Sequence, residues 1–300
     1  MTTTVDQPTA TTGEFEEPGP GLAGMALACA EAAARALDDH PGTVLVSADH
    51  TPPPLAAAAA RHPERVVAAG ARGRSPLCVA HGLAVAGLRP IVYATRSPLG
   101  WWPPGRSAPL GRPGPTAAVL VAPAAPEDVA LLDALGGWTI HLPGHPEEAR
   151  ELLAAALRAD HPAYLGLTGS PNTHPHPVGG FHVARRGRRG VVLAVGPALD
   201  PVLRATAGLD VTALHAATVR PFDEITLRTA VLAADHPDVV LVDPCLPGAS
   251  AHHVARTLLH VPHRLLTLGP DPDDEHQPAD TIRRFLRHAP STTPQRGARP

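Results

Sequence analysis

The sequence predicts an α/β fold of two doubly wound, mainly parallel sheet domains. Short runs such as Thr43 to Ser47, Arg89 to Tyr93, Val191 to Val195 and Val239 to Val242 are apolar almost throughout, the pattern of strands covered on both faces. Most strands are followed by an Ala- or Leu-rich stretch of helical periodicity, and such alternation implies parallel pairing with helices on the faces. The Pro- and Gly-rich stretch 169–180, GSPNTHPHPVGG, interrupts the alternation and divides the chain in two. With 300 residues and 44% apolar content there is material for two cores.

Residues 1–20 are rich in Thr, Glu and Pro, with almost no large apolar side chains, and are expected as a disordered lead-in. A helix over Gly24 to Leu37 leads through the turn His40-Pro41-Gly42 to the strand Thr43 to Ser47. A helix over Leu55 to Arg61, a short strand over Arg65 to Ala68, a loop and helix within Gly70 to Gly87, and the strand Arg89 to Tyr93 follow. Pro and Gly dominate 97–115, which holds Trp101 and Trp102 and is expected as irregular structure at the sheet's edge. Strand Ala117 to Ala122, helix Pro126 to Leu135, strand Trp138 to His141, helix Pro146 to Ala159 and strand Ala163 to Leu167 complete a first domain, 21–168.

Beyond the linker 169–180 comes a second domain, 181–290. Its first strands, Phe181 to Ala184 and Val191 to Val195, flank a tight basic turn and read as a hairpin. Helix Pro197 to Thr206, strand Val211 to His215, helix Asp223 to Ala234, strand Val239 to Val242, helix Ala251 to Leu259, strand Arg264 to Thr267 and helix Ala279 to His288 continue the alternation, before a loose tail, 291–300.

Composition excludes several function classes. With 25 basic against 28 acidic residues the net charge is -3, so no broad field favours nucleic acid or an anionic membrane, and small molecules and proteins are the expected partners. Lysine is absent, which removes Schiff-base, pyridoxal-anchoring and Walker-type chemistry and leaves cationic contacts to Arg and His. Cys29, Cys78 and Cys245 are far apart and lack CxxC spacing, which fits reduced thiols in a cytoplasmic protein, with Cys78 expected in the core. No apolar run approaches the roughly 20 residues that span a bilayer.

Four local patterns read as structure rather than chemistry. His174 and His176 alternate with prolines and form an extended linker more readily than a metal site. Arg185-Arg186-Gly187-Arg188-Arg189 is a single exposed turn, too small for nucleic acid. Asp271 to Glu275 lacks the spacing of a calcium loop, and Gly196-Pro197-Ala198 lacks the glycines of a dinucleotide fingerprint.

Further segments carry a family signature by their order. Ser47-Ala48-Asp49-His50-Thr51-Pro52 follows the first strand, and His62-Pro63-Glu64-Arg65 precedes the run Gly70 to Pro90, GARGRSPLCVAHGLAVAGLRP. Thr218-Val219-Arg220-Pro221-Phe222-Asp223 and Val239 to Gly248 lie in the second half. Together, over 22–288, they resemble the C-terminal half of transketolase-like thiamine-diphosphate enzymes: transketolases, deoxyxylulose-phosphate synthases and 2-oxoacid dehydrogenase beta subunits. The resemblance makes 21–168 a pyrimidine-binding-like domain and 181–290 a transketolase C-terminal-like domain.

The departures from that family are specific. A family Glu that hydrogen-bonds the aminopyrimidine and promotes a proton relay through the cofactor is replaced by Gly73. The family's pyrimidine-stacking ring is missing, since no Phe lies between Phe15 and Phe181, and Tyr93, Trp101 and Trp102 are the candidates to substitute. The Gly-Asp-Gly motif and later Asn that hold the diphosphate through Mg²⁺ are absent. The resemblance therefore implies thiamine diphosphate and Mg²⁺ held mainly by a separate diphosphate-binding transketolase-like subunit, with two such heterodimers pairing as a heterotetramer.

On this resemblance Asp49 and His50 are the expected catalytic pair at the end of the first strand, Asp49 also touching cofactor; a turn pair before Pro52 is the alternative. Gly73 and Tyr93 are expected at the cofactor. Arg72, Arg74 and Arg96 suit a carboxylate or phosphate on the substrate; for Arg72 and Arg74 a solvated loop before the Ser75-Pro76 helix start is the alternative. Ser75 stands where synthase relatives carry His. The expected function is the small subunit of a split transketolase-like enzyme transferring a ketol or acyl unit from a ketose or 2-oxo acid to a carbonyl acceptor. Its rivals are a catalytically silent subunit that stabilises or regulates an active partner, and a homodimer binding an anionic metabolite.

Overall fold

The structure is a computed structural model that describes residues 19–47, 52–69, 75–99, 118–269 and 277–287. The expected lead-in before residue 19, Asp49, His50, Arg72, Gly73, Arg74, Trp101, Trp102, the acidic run 271–275 and the tail 291–300 lie outside the described residues.

The first half contains α1 (Pro20–Asp39), β1 (Thr43–Ser47), α2 (Pro53–Arg61), β2 (Val66–Ala68), α3 (Ser75–Val85), β3 (Arg89–Tyr93), β4 (Val119–Pro123), α4 (Asp128–Leu135), β5 (Thr139–His141), α5 (Pro146–Arg158) and β6 (Ala163–Leu167). The second contains β7 (His182–Arg185), β8 (Val191–Val195), α6 (Leu199–Ala205), β9 (Thr212–Ala216), β10 (Thr218–Arg220), α7 (Glu224–Leu232), β11 (Asp238–Val242), α8 (Ala251–Thr257), β12 (Arg264–Leu268) and α9 (Gln277–Arg287). The stretch 169–180 carries neither helix nor strand. Among the described residues no helix is long and apolar enough to cross a membrane.

Seven strands form one sheet in the order β10-β5-β6-β4-β3-β1-β2, and five form the other in the order β12-β11-β8-β9-β7. Pairing is parallel except where β10 meets β5 and β7 meets β9. Alternate strand residues feed separate cores. Leu45 and Ile91 pack under α1 and α5, whose alanines allow close approach. Val46, Val92 and Leu120 share one cluster with Val191, Leu193 and Leu241, so facing sides of the two sheets build a continuous core. Val192, Ala194 and Val240 pack with α6 and α9 on the far side.

Two expectations are corrected. The basic turn does not close a hairpin, because β9 lies between β7 and β8. Every residue of β8 is buried, which suits a central position, whereas half-exposed β7 takes the edge. Cys78 is exposed, since Leu77, Ala80 and Ala84 form the buried stripe of α3 and residue 78 falls off it. Strand β10, read only as part of a family step, leaves the second sheet and extends the first.

Candidate active site at the carboxyl edge of the first sheet

Parallel pairing brings the carboxyl ends of β1, β2, β3 and β4 to one edge of the sheet. From β1 the chain winds to β2 on one side, then crosses to β3 on the other. A doubly wound sheet opens its ligand crevice at such a reversal, outside the carboxyl ends of the two flanking strands. Ser47 and Tyr93 are register partners at that point. Ala69 N donates to Ser47 O at 2.9 Å and Ala94 N to Val121 O at 3.0 Å, which carries the ladder to the rim.

The chain leaves this rim into the segments that hold the expected site residues. Ser47 precedes 48–51, with Asp49 and His50, while Ala69 and α3 flank 70–74, with Arg72, Gly73 and Arg74. Helix α3 packs against both β1 and β3. The flanks of both segments therefore meet at the crevice.

Tyr93 and Arg96 are described. Tyr93 is only 4% exposed, and its hydroxyl donates to Ala26 O of α1 at 2.9 Å. Its ring is part of the core beneath α1. Arg96, three residues on, is exposed at the rim.

The rim loop is anchored from below by Asp128, a residue that sequence reasoning missed. Its Oδ1 accepts the Ser97 hydroxyl at 2.9 Å; its Oδ2 accepts Tyr164 OH at 2.5 Å and Ala125 N at 2.9 Å. Ser97 Oγ in turn accepts Leu99 N at 3.2 Å. Burial pushes the Asp128 carboxyl above its ordinary range against these hydrogen bonds, and burial beside Asp128 pushes the Tyr164 phenol well up. The sequence signal was small: an Asp at the first turn of a helix after Ala-Pro-Glu.

Two further polar clusters join the sheets. Glu148, buried on α5, accepts Gly144 N at 2.7 Å and His176 N at 2.8 Å, which pins the 169–180 segment. His215 lies 3.9 Å from Glu148, and burial, then His176, lower it to about 4. Gly196, at φ +52°, approaches the first sheet so closely that a Cβ would stand 2.6 Å from Leu142 O. In the second cluster the buried Arg220 of β10 holds Asp133 of α4 through Nε at 2.8 Å and Nη2 at 2.9 Å, and His253 of α8 reaches the same carboxylate. Burial raises Asp133, but Arg220 and His253 outweigh it and hold the carboxyl at about 2. Asp243, at the end of β11, is buried with Oδ2 lacking a hydrogen-bond partner, and burial pushes it to about 6.

Within the described part of the crevice a metal-diphosphate has little to bind. Asp128 is committed to Ser97, Tyr164 and Ala125, and Arg96 is a cation that repels Mg²⁺. The donor set fits an anionic substrate group or the neutral pyrimidine end of the cofactor better than its metal-bound end.

No protein-family model matches the chain. It is 43% identical over 249 residues to the 33.6 kDa protein in the fasciation locus of Rhodococcoides fascians, a match covering 78% of this chain and 80% of that protein. It is 33% identical over 161 residues to 1-deoxy-D-xylulose-5-phosphate synthase of Acidovorax ebreus (strain TPSY), covering 50% of this chain and 25% of the synthase, so it matches only a part of that enzyme. Among solved structures it resembles a split gene transketolase in an inactive beta4 tetramer, with TM-score 0.73, 18% identity, and coverage of 88% of this chain and 98% of that one. The chain belongs to one family with the fasciation-locus protein; its fold is that of the C-terminal half of transketolases, and deoxyxylulose-phosphate synthases match the same region.

Proposed function

We infer that this chain is the small, C-terminal-type subunit of a split, thiamine-diphosphate-dependent enzyme that transfers a ketol or acyl unit from a ketose or 2-oxo acid to a carbonyl acceptor. Coverage carries the reading: the fold matches 98% of a split-gene transketolase chain, whereas the chain spans 25% of a full-length synthase. The diphosphate and Mg²⁺ then fall to a separate transketolase-like subunit, in a heterotetramer of two such pairs. Thiamine diphosphate, when bound, supplies the carbanion-stabilising chemistry. Asp49 and His50 would move protons at the rim, Gly73 would leave room beside the pyrimidine, and Arg72, Arg74 and Arg96 would hold the substrate's anionic group. Tyr93 would support the cofactor wall from behind.

Co-expression with a chain carrying Gly-Asp-Gly and a downstream Asn, followed by purification through this subunit, tests the reading. The expected result is a stable complex with thiamine-diphosphate-dependent turnover of a ketose or 2-oxo acid. Micromolar cofactor binding by this chain alone in isothermal titration contradicts it.

Gly73 favours a second reading, a catalytically silent subunit that stabilises or regulates an active partner. Acid-base assistance of the kind the family Glu gives is worth roughly 10²- to 10⁴-fold in rate. A complex that forms but turns over only through a second, Glu-bearing subunit supports this reading. Where a substitute relay operates, Gly73→Glu lowers native turnover; unchanged turnover counts against such a relay.

A further inference from the structure

Away from the crevice, Asp133 on α4 and His252 and His253 on α8 bring one carboxylate oxygen and two imidazole nitrogens within 4.8 Å of one another. To Asp133 Oδ2 the distances are 2.9 Å from His253 Nε2 and 3.2 Å from His252 Nε2, and the two rings lie 4.0 Å apart. Successive residues of a helix ordinarily point apart. Asp133 already holds a two-pronged bond from Arg220, so the convergence of both histidines exceeds what pairing the carboxylate requires.

We propose that Asp133, His252 and His253 form a zinc-class metal site that ties α4 to α8, and so the first half of the chain to the second. One carboxylate with two imidazoles is a donor set that Zn²⁺ accepts and that Mg²⁺ and Ca²⁺, which take oxygen ligands, do not favour. Three protein ligands leave a fourth position, and His252, 62% exposed, sets it at the solvent.

Two arginines set the strength of the site. Arg220 donates Nε to Asp133 Oδ1 at 2.8 Å and shares Nη2 between Oδ2 at 2.9 Å and Ala249 O at 3.3 Å. Its charge weakens ion binding, while its hydrogen bonds orient the carboxylate as supporting groups around metal ligands do. Arg256 Nη2 donates to His253 Nδ1 at 3.3 Å, which keeps the proton on Nε2. An ion on Nε2 needs that proton on Nδ1, so ion binding and this contact exclude one another. Arg256 retains Glu224 Oε1 at 2.7 Å when the contact is released.

The test is calorimetric titration of ZnCl₂ into the full chain at pH 7.5 in a non-chelating buffer, with thermal melting alongside. The expected result is one equivalent bound with micromolar affinity and a higher Tm. His252→Ala and His253→Gln each weaken binding at least about tenfold, whereas Arg256→Gln tightens it several-fold. The exposed His252 makes its variant safe from folding defects. Undiminished binding in the histidine variants overturns the proposal, because zinc then sits elsewhere among the chain's 18 histidines. Absence of a one-equivalent event in the unmodified chain overturns it as well, and an Arg256→Gln variant that binds no tighter removes His253 Nε2 as a ligand.

Discussion

Ser47 and Tyr93 are direct register partners at the carboxyl ends of β1 and β3, one on each side of the point where the first sheet reverses its winding. Tyr93 packs in the core beneath α1 and ties β3 to that helix through Ala26 O. The phenol thus tethers the rim that presents Ala94, Thr95 and Arg96 to the first helix.

Tyr93→Phe keeps the ring in the core and removes that hydrogen bond, so it should cost about 1 kcal/mol of stability. Urea unfolding with an unchanged slope and a lower midpoint checks this. The same variant examines the proposed cofactor role. A ring that only supports the wall leaves cofactor affinity of the complex unaltered in Tyr93→Phe, and a large drop would place the hydroxyl in contact with the ligand.

Asp128 is expected to control the loop after β3. Asp128→Ala leaves the buried Tyr164 hydroxyl and Ala125 N–H without their acceptor, at roughly 2 to 4 kcal/mol for the pair. Ser97→Ala releases the loop at smaller cost. The exposed Arg96–Ser97 bond is a trypsin site among the chain's 25 arginines, and limited proteolysis with the cut mapped by mass spectrometry reads the loop directly. Cleavage after Arg96 should accelerate in both variants; a rate equal to the unmodified chain's in both would show that the anchor does not hold the loop.

The strands were legible because burial on both faces leaves an uninterrupted apolar run, as in β1, β3 and β8. Partner choice was not: β7 and β8 adjoin in sequence, yet β9 separates them, and only the difference in burial along the two strands decides it. The reversal point was legible in part, since the strands Thr43 to Ser47 and Arg89 to Tyr93 were read from their apolar runs and pair there. The supporting network was not, because Asp128 meets Tyr164 across 36 residues and Asp133 meets Arg220 across 87. No local periodicity encodes such pairs. The burial of Tyr93 in the core beneath α1 was likewise not legible from its place in the sequence.

Acid should destabilise the fold through two histidines. Burial lowers His141 and His215 to about 4 each, below the ordinary 6.5. The unfolded chain takes up these protons near 6.5 while the folded chain resists until about 4, so their stabilisation is complete above 6.5 and is lost as pH falls through that window. At 1.36 kcal/mol per unit this is roughly 3 kcal/mol for each. Unfolding free energies between pH 7.5 and 4.5 should fall, and His215→Gln should flatten the curve. A slope unchanged in that variant would remove His215 as a source.

Asp243 should act in the opposite sense. Its carboxyl is raised to about 6 from 3.8 by burial, the folded state binds the proton more tightly than the unfolded one, and the ionised group therefore costs stability above pH 6. The gap corresponds to roughly 3 kcal/mol at most, part of which an amide would forfeit by burying an unpaired N–H. Asp243→Asn is expected to stabilise the chain by about 1 to 2 kcal/mol at pH 7.5 and to give no gain at pH 4, where the native carboxyl is already protonated. Urea unfolding at the two pH values measures both. Destabilisation at pH 7.5 would mean that the negative charge is satisfied in solution, and would make Oδ2 a ligand to a bound cation or donor rather than a buried liability.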